Sequence, residues 1–307
     1  MIEVASQRWD EHFFASRTFA KMYSFDDRQR GCEYLLLIIA GFQPYYWDSL
    51  MSRVEQCVKH SVHPMDVCIC VPKGEDNNAA ILKEKAEQFG WSCLVLRDDL
   101  LAQSQNTAIR LHSKAEWIFK IDEDIILPTD YFDRMIAANK RADDSLIYKV
   151  GFLAPLINVN ANGLEPFLRA LGEVDSFTDR FGRLRVTYDE KDIIHQSPEL
   201  AKWIWERSVP FDKVASLIRQ KNEGQFLIVP IRFSIGAIFF SRDIWQSMGG
   251  FKVGLRAALG FEEVQFCNYC QNYRYAMAVA TDVFVGHLGF FPQKQVCHDF
   301  FDKEFVF

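Results

Sequence analysis

Short, almost unbroken apolar runs alternate along the chain with longer stretches in which apolar positions recur every three or four residues. Tyr34-Leu-Leu-Leu-Ile-Ile-Ala40, Asp66-Val-Cys-Ile-Cys-Val71 and Trp91-Ser-Cys-Leu-Val-Leu96 are runs of the first kind. Each reads as a strand buried on both faces. Gly41-Phe42-Gln43-Pro44 breaks the first run and Pro72-Lys73-Gly74 the second. The intervening stretches read as helices. One covers Trp47 to His60; another is capped by Asn77 or Asn78, with a stripe at Leu82, Ala86 and Phe89. A third spans Leu101 to Lys114 and places Ala108, Leu111 and Ala115 on one face. Strand and helix alternating at this spacing predict an α/β fold with a mostly parallel, twisted central sheet flanked by helices. In such sheets the ligand crevice lies beyond the carboxyl ends of the strands.

After Lys140 the rhythm changes. Val150 to Asn158 predicts a short strand followed by a turn at Asn160-Ala-Asn-Gly163. Residues 165–225 predict an insertion packed on the core, since they lack the Gly, Ser and Pro enrichment of a linker. Ile228 to Phe240 returns to strand, interrupted at Gly236-Ala237, where small residues admit a ligand or another backbone. Met248-Gly249-Gly250-Phe251 marks a turn, and Gly260-Phe261-Glu262-Glu263 opens a helix with Phe266, Cys270 and Tyr273 along one side. Ala278 to Val285 is a last strand, ended by Gly286-His287-Leu288-Gly289. Residues 1–33, mixed in polarity with scattered aromatics, predict a helical extension on the main body. Residues 34–140 and 141–307 then form two halves of one domain.

Composition narrows the function classes. The 307 residues are 49% hydrophobic and 25% charged, with a net charge of -6 and no block of Lys or Arg, which disfavours a nucleic-acid partner. No apolar run approaches the ~20 residues that span a bilayer, and no secretory leader opens the chain. Eight cysteines in such a chain are expected to be reduced, in the cytoplasm. Cys267 and Cys270 have C-x-x-C spacing, but no second close pair completes a zinc site.

The chemistry concentrates in Trp117-Ile-Phe-Lys-Ile-Asp-Glu-Asp-Ile-Ile-Leu-Pro128, an apolar strand that ends in three consecutive acids. An unpartnered buried carboxylate costs several kcal/mol, and a divalent cation carrying a phosphate-bearing substrate would be its economical partner. On a strand Asp122 and Asp124 point one way and Glu123 the other. The alternative is a solvated loop, or charge placed near the helix that Pro128-Thr129-Asp130 opens.

In its order of segments the chain resembles the GT-A-fold glycosyltransferases, in particular the large inverting family that includes many bacterial polysaccharide synthases. Three segments carry the resemblance: Ser104 to Ile109 running into Phe119-Lys-Ile-Asp-Glu-Asp124; Ser234 to Phe251 with its Gly249-Gly250-Phe251 turn; and Gly260-Phe261-Glu262-Glu263, followed by His287. The resemblance implies a nucleotide-sugar-binding half (34–140) and an acceptor-binding half (141–307). It implies transfer of a sugar from a nucleotide-diphosphate donor, UDP by family frequency, to a hydroxyl of a glycan or glycoconjugate, with inversion. Asp122, Asp124 and His287 would hold Mn2+ or Mg2+. Glu263 would be the general base, with Glu262 in support. Glu75, Asp76, Asn106, Asp122, Glu123, Gly236 and Ala237 would line the donor site. The chain departs from the pattern at Gln105, where an Arg is usual, at Glu263 for the commoner Asp, and at Lys73-Gly74-Glu75-Asp76. The rival readings are a nucleotidyltransferase acting on sugar phosphates and a non-catalytic carbohydrate-binding scaffold. The aromatic C-terminus leaves open peripheral contact with the inner face of a membrane.

Overall fold

The structure is a computed structural model that describes residues 23–72, 76–97, 101–159, 161–185, 192–253, 261–289 and 293–304. Its centre is a single ten-stranded sheet. The apolar runs form β2 (Tyr34–Ile39), β3 (Met65–Val71), β4 (Ser92–Leu96) and β5 (Trp117–Asp122), mutually parallel where they pair. β3 and β4 lie on one side of β2 and β5 on the other, so the winding direction reverses between β2 and β5. Beyond β5 come β9 (Ala237–Ser241), antiparallel to it, then β7 (Val150–Ile157) and β10 (Ala276–His287), which is parallel to β7. β6 (Ile125–Ile126) and β8 (Phe226–Ile228) both pair antiparallel with β10.

Alternation along β2 explains the two-sided core. Leu36, Ile38 and Ala40 belong to one apolar cluster, with residues of α1 (Trp47–His60), α2 (Asp76–Phe89) and α4 (Tyr131–Ser145). Leu35, Leu37 and Ile39 belong to another, with residues of α3 (Leu101–Leu111), α10 (Arg242–Met248) and α11 (Phe261–Tyr273). Leu35, Leu36 and Leu37 are wholly inaccessible, and burying each contributes about 1.5–3 kcal/mol.

The structure departs from the sequence reading in four places. Of the extension expected over 1–33, residues 1–22 lie outside the described residues. Tyr23–Asp26 is strand β1, antiparallel on the edge of β4, and not a helix. The chain from Arg30 to Cys32 is then held by buried Asp66, whose carboxylate accepts the backbone N–H groups of Arg30, Gly31 and Cys32. Gly163 lies within helix α5 (Ala161–Leu171), not in a turn: a Cβ there would meet the Ile157 carbonyl oxygen at 2.0 Å, so glycine lets the helix lie close on β7. Ile228 to Phe240 divides into β8, which pairs with β10, and β9, which pairs with β5 and β7. β10 runs two residues past Val285, so that His287 is its last residue.

The insertion expected at 165–225 is helical over its described residues. α5, α6 (Val174–Phe181), α7 (Ile193–Gln196), α8 (Pro198–Ser208) and α9 (Phe211–Lys221) build a third apolar cluster around Phe167, Trp205 and Phe284. The last described helix, α12 (Lys294–Glu304), adds Cys297 and Phe301 to that cluster.

Candidate active site

In sheets wound this way ligands bind outside the carboxyl ends of the strands where the winding reverses, which here are the ends of β2 and β5. Ile39 of β2 is in register with Asp122 of β5, so the chain leaving each strand enters the same space. The strand ends at Asp122, and Glu123 and Asp124 form a turn before β6. Their orientations therefore follow the turn and not simple strand alternation.

Glu123 turns inward. It is 6% exposed and accepts hydrogen bonds from the backbone N–H groups of Gly41 (2.9 Å) and Phe42 (2.8 Å) and from the indole of fully buried Trp47 (2.5 Å). Burial pushes its pKa up to about 7, with the three donors pulling the other way. The carboxylate expected to touch the donor is thus spent on clamping the loop after β2. Glu123→Ala would strand those buried donors and should lower stability by about 3 kcal/mol, measurable by urea denaturation.

Asp124, 2% exposed, meets a different set of partners. Its Oδ2 accepts a hydrogen bond from the Gln43 amide at 2.7 Å and lies 3.4 Å from His287 Nε2. The adjoining backbone is fastened too: the Leu288 N–H donates to the Asp124 carbonyl. His287 Nδ1 is 3.4 Å from the Val159 carbonyl, which can only accept, so the ring proton belongs on Nδ1 and Nε2 is turned to Asp124. Burial draws the His287 pKa down, but the charge of Asp124 and then of Asp122 outweighs it and leaves the value raised.

Asp122 keeps 31% of its side chain exposed, and its Oδ1 lies 2.6 Å from Lys120 Nζ. Its pKa is raised, first by burial, with Lys120 opposing and Asp124 adding. Gly236 lies against it: the Gly236 carbonyl accepts the Asp122 N–H, and a Cβ on residue 236 would stand 3.3 Å from Asp122 Oδ2. Glycine there leaves room at that oxygen. Ala237, by contrast, is wholly buried in β9 opposite Ile121 and lines no crevice.

The two glutamates of α11 face different partners. Glu263 accepts from Arg232 Nε at 2.8 Å and from the Ile235 N–H at 3.0 Å, so both its oxygens are engaged in holding the segment before β9. Glu262, 5% exposed, has its pKa raised by burial, while the charge of Lys120 opposes and those of Asp122 and Glu263 add. Glu262 thus feels the charges of both Lys120 and Asp122.

Asn106 is committed elsewhere. Its amide donates to the Phe251 carbonyl at 2.7 Å, and its oxygen accepts from the Trp245 indole and the Phe251 N–H. It holds the Gly249-Gly250-Phe251 turn, in which both glycines have φ of +81°. Its place in the donor site gives way to this packing role. Glu75 and the Asp76 side chain lie outside the described residues. Sequence reasoning missed Lys120, although a lysine inside an apolar strand, two residues before Asp122, was the signal for it.

The donor set fits a hard divalent cation in kind: two carboxylates and an imidazole whose far nitrogen is fixed by a carbonyl, as metal-ligating histidines commonly are. Among the described residues no three such groups yet converge on one point. No described helix is long and apolar enough to cross a membrane, and all eight cysteines are free thiols.

No protein-family model matches the chain, and no curated protein sequence matches it. Among solved structures it is similar to a mannosyltransferase, PcManGT, from Pyrobaculum calidifontis, in complex with GDP-Man and Mn2+. That similarity has 14% identity and a TM-score of 0.48 over 92% of this chain and 64% of that one. It is also similar to GalNAc-T7 with UDP, GalNAc and Mn2+, at 13% identity and a TM-score of 0.48 over 83% of this chain and 44% of that one. The chain thus spans less than two thirds of either protein's length.

Proposed function

We propose that this chain is a metal-dependent glycosyltransferase that moves a sugar from a nucleotide-diphosphate donor, preferentially a UDP-sugar, to a hydroxyl of a glycan or glycoconjugate, with inversion. The observation that carries the reading is the approach of Asp124 and His287, from segments far apart in the chain, to 3.4 Å beside Asp122 at the winding reversal. Asp122 ends β5 and Asp124 lies in the turn after it, Glu262 is in the first turn of α11, and His287 ends β10. Asp124 and His287 would hold the cation, with Asp122 beside them. Bound there, a divalent cation would neutralise charge on the departing nucleoside diphosphate.

The protein's own residues supply the rest. Gln43 and the Val159 carbonyl fix the orientations of Asp124 and His287 before any ligand arrives. Glu262 is assigned as general base, taking the proton of the acceptor hydroxyl as it attacks the anomeric carbon. Burial raises its pKa, with the charge of Lys120 opposing. Glu263, bound on both oxygens, is assigned to hold the acceptor-side segment instead. The nucleotidyltransferase alternative needs free backbone N–H groups after β2 to cradle phosphate, and Glu123 already occupies those of Gly41 and Phe42.

A thermal-shift screen of nucleoside diphosphates with and without Mn2+ tests the reading. UDP should stabilise the protein only when the metal is present. Indifference to every nucleotide would favour a non-catalytic scaffold.

A further inference from the structure

Lys120 is 3% exposed in the middle of an apolar strand. Its ammonium lies 2.6 Å from Asp122 Oδ1 and donates to the Ile235 carbonyl at 2.9 Å. Each belongs to a different segment of the chain, the two running side by side in the sheet. Asp122 ends β5, whereas Ile235 lies in the segment before β9 that Glu263 holds through the Ile235 N–H and Arg232. A third link runs alongside, from the Asp122 N–H to the Gly236 carbonyl. The ammonium thus ties the end of β5 to the segment 232–236, which the start of α11 holds in turn through Glu263.

Stability alone does not account for a cation here. Desolvating an ammonium and a carboxylate costs about as much as their attraction returns, and an apolar pair of like size often serves a core as well. The strand's other side chains on this face, such as Ile118, pack apolar with α3 and α11 and need no charge. What an apolar residue could not do is hold one Asp122 oxygen while tying Ile235 to it.

Resting on the glycosyltransferase reading, we infer that Lys120 is a positioning residue that locks the donor-side carboxylate Asp122 to the acceptor-side segment 232–236. By holding Oδ1 it leaves Asp122 only Oδ2, the oxygen beside Gly236, to offer a ligand. By holding Ile235 it sets the distance between that oxygen and the segment to which Glu263, the neighbour of Glu262, is bound. Donor and acceptor sites are thereby kept in one register.

The test compares the parent with Lys120→Met and Lys120→Arg. Mn2+ affinity with UDP present is read by electron paramagnetic resonance, with kcat, donor and acceptor KM, and melting temperature alongside. Methionine keeps the stem and removes both contacts. It should weaken Mn2+ and lower kcat each by roughly 10–100-fold, the range for residues that orient metal ligands. Arginine restores the charge with a longer, planar head. It should recover much of the Mn2+ affinity but little of kcat, since the Ile235 spacing stays wrong. A Lys120→Met protein that melts lower but matches the parent in Mn2+ affinity and kcat per folded molecule would overturn the inference. If Lys120→Met does not fold, Lys120→Arg decides, and parental values for both constants overturn the inference. A parent that binds UDP and Mn2+ while the variants behave identically sinks the role of Lys120 alone. A parent that binds neither sinks the transferase reading, and this inference with it.

Discussion

Asp124→Asn is expected to cut sugar transfer by roughly 10²–10³-fold or more and to abolish the metal dependence of UDP binding. The fold should survive. Asparagine has the shape of aspartate and can still accept the Gln43 hydrogen bond, and the Leu288 N–H bonds the residue 124 backbone, which the substitution leaves untouched. What disappears is the negative charge facing His287 Nε2 at 3.4 Å. A carboxylate on a hard cation supplies charge that a neutral amide cannot, so the loss should fall on metal binding and chemistry, and only weakly on stability. Mn2+ titration followed by electron paramagnetic resonance, run beside urea denaturation, separates the two. Parental Mn2+ affinity with collapsed stability would make Asp124 a structural residue and remove the metal from this site.

The second large effect divides the two glutamates of α11. Glu262→Gln should lower kcat by roughly 10²–10⁴-fold with donor affinity near the parent's, because the amide keeps size and loses only the basic oxygen. Its pH profile should also lose the limb set by a carboxylate whose pKa burial has raised. Glu263→Gln should act differently. It removes the charge partner of Arg232, whose side chain is 38% exposed, and puts an NH2 group within reach of the Ile235 N–H. The expected cost is about 1–2 kcal/mol of stability, discounted for that exposure, with a rise in acceptor KM. Determining kcat, both KM values and the unfolding free energy for each variant decides the matter. A collapsed kcat at parental stability for Glu263→Gln, with Glu262→Gln nearly normal, would return the base to Glu263, where the family pattern places it.

Much of the fold was legible because its signals are local. β2, β3 and β4 announce themselves as continuous apolar runs, since a strand covered on both faces has no use for polar side chains. The helices between them leave amphipathic stripes. Asp122 and Asp124 were legible for a similar reason: acids at the end of such a run need an explanation at once. Lys120 stood in the same strand, in phase with Asp122, and could have been read by the same logic.

The roles of the remaining polar residues were decided only by the tertiary structure. Glu123 looked like one more acid of a binding motif until Gly41 and Phe42, more than 80 positions away, brought their N–H groups to it. Asn106 became the clamp of a turn 145 residues along the chain. The pair at 262–263 divides because Ile235 and Arg232 reach Glu263 first. Apolar burial is set by periodicity within a segment, whereas a buried polar group takes its role from whichever unpaired donor folding delivers to it. That delivery depends on strand order, which no local pattern of residues encodes.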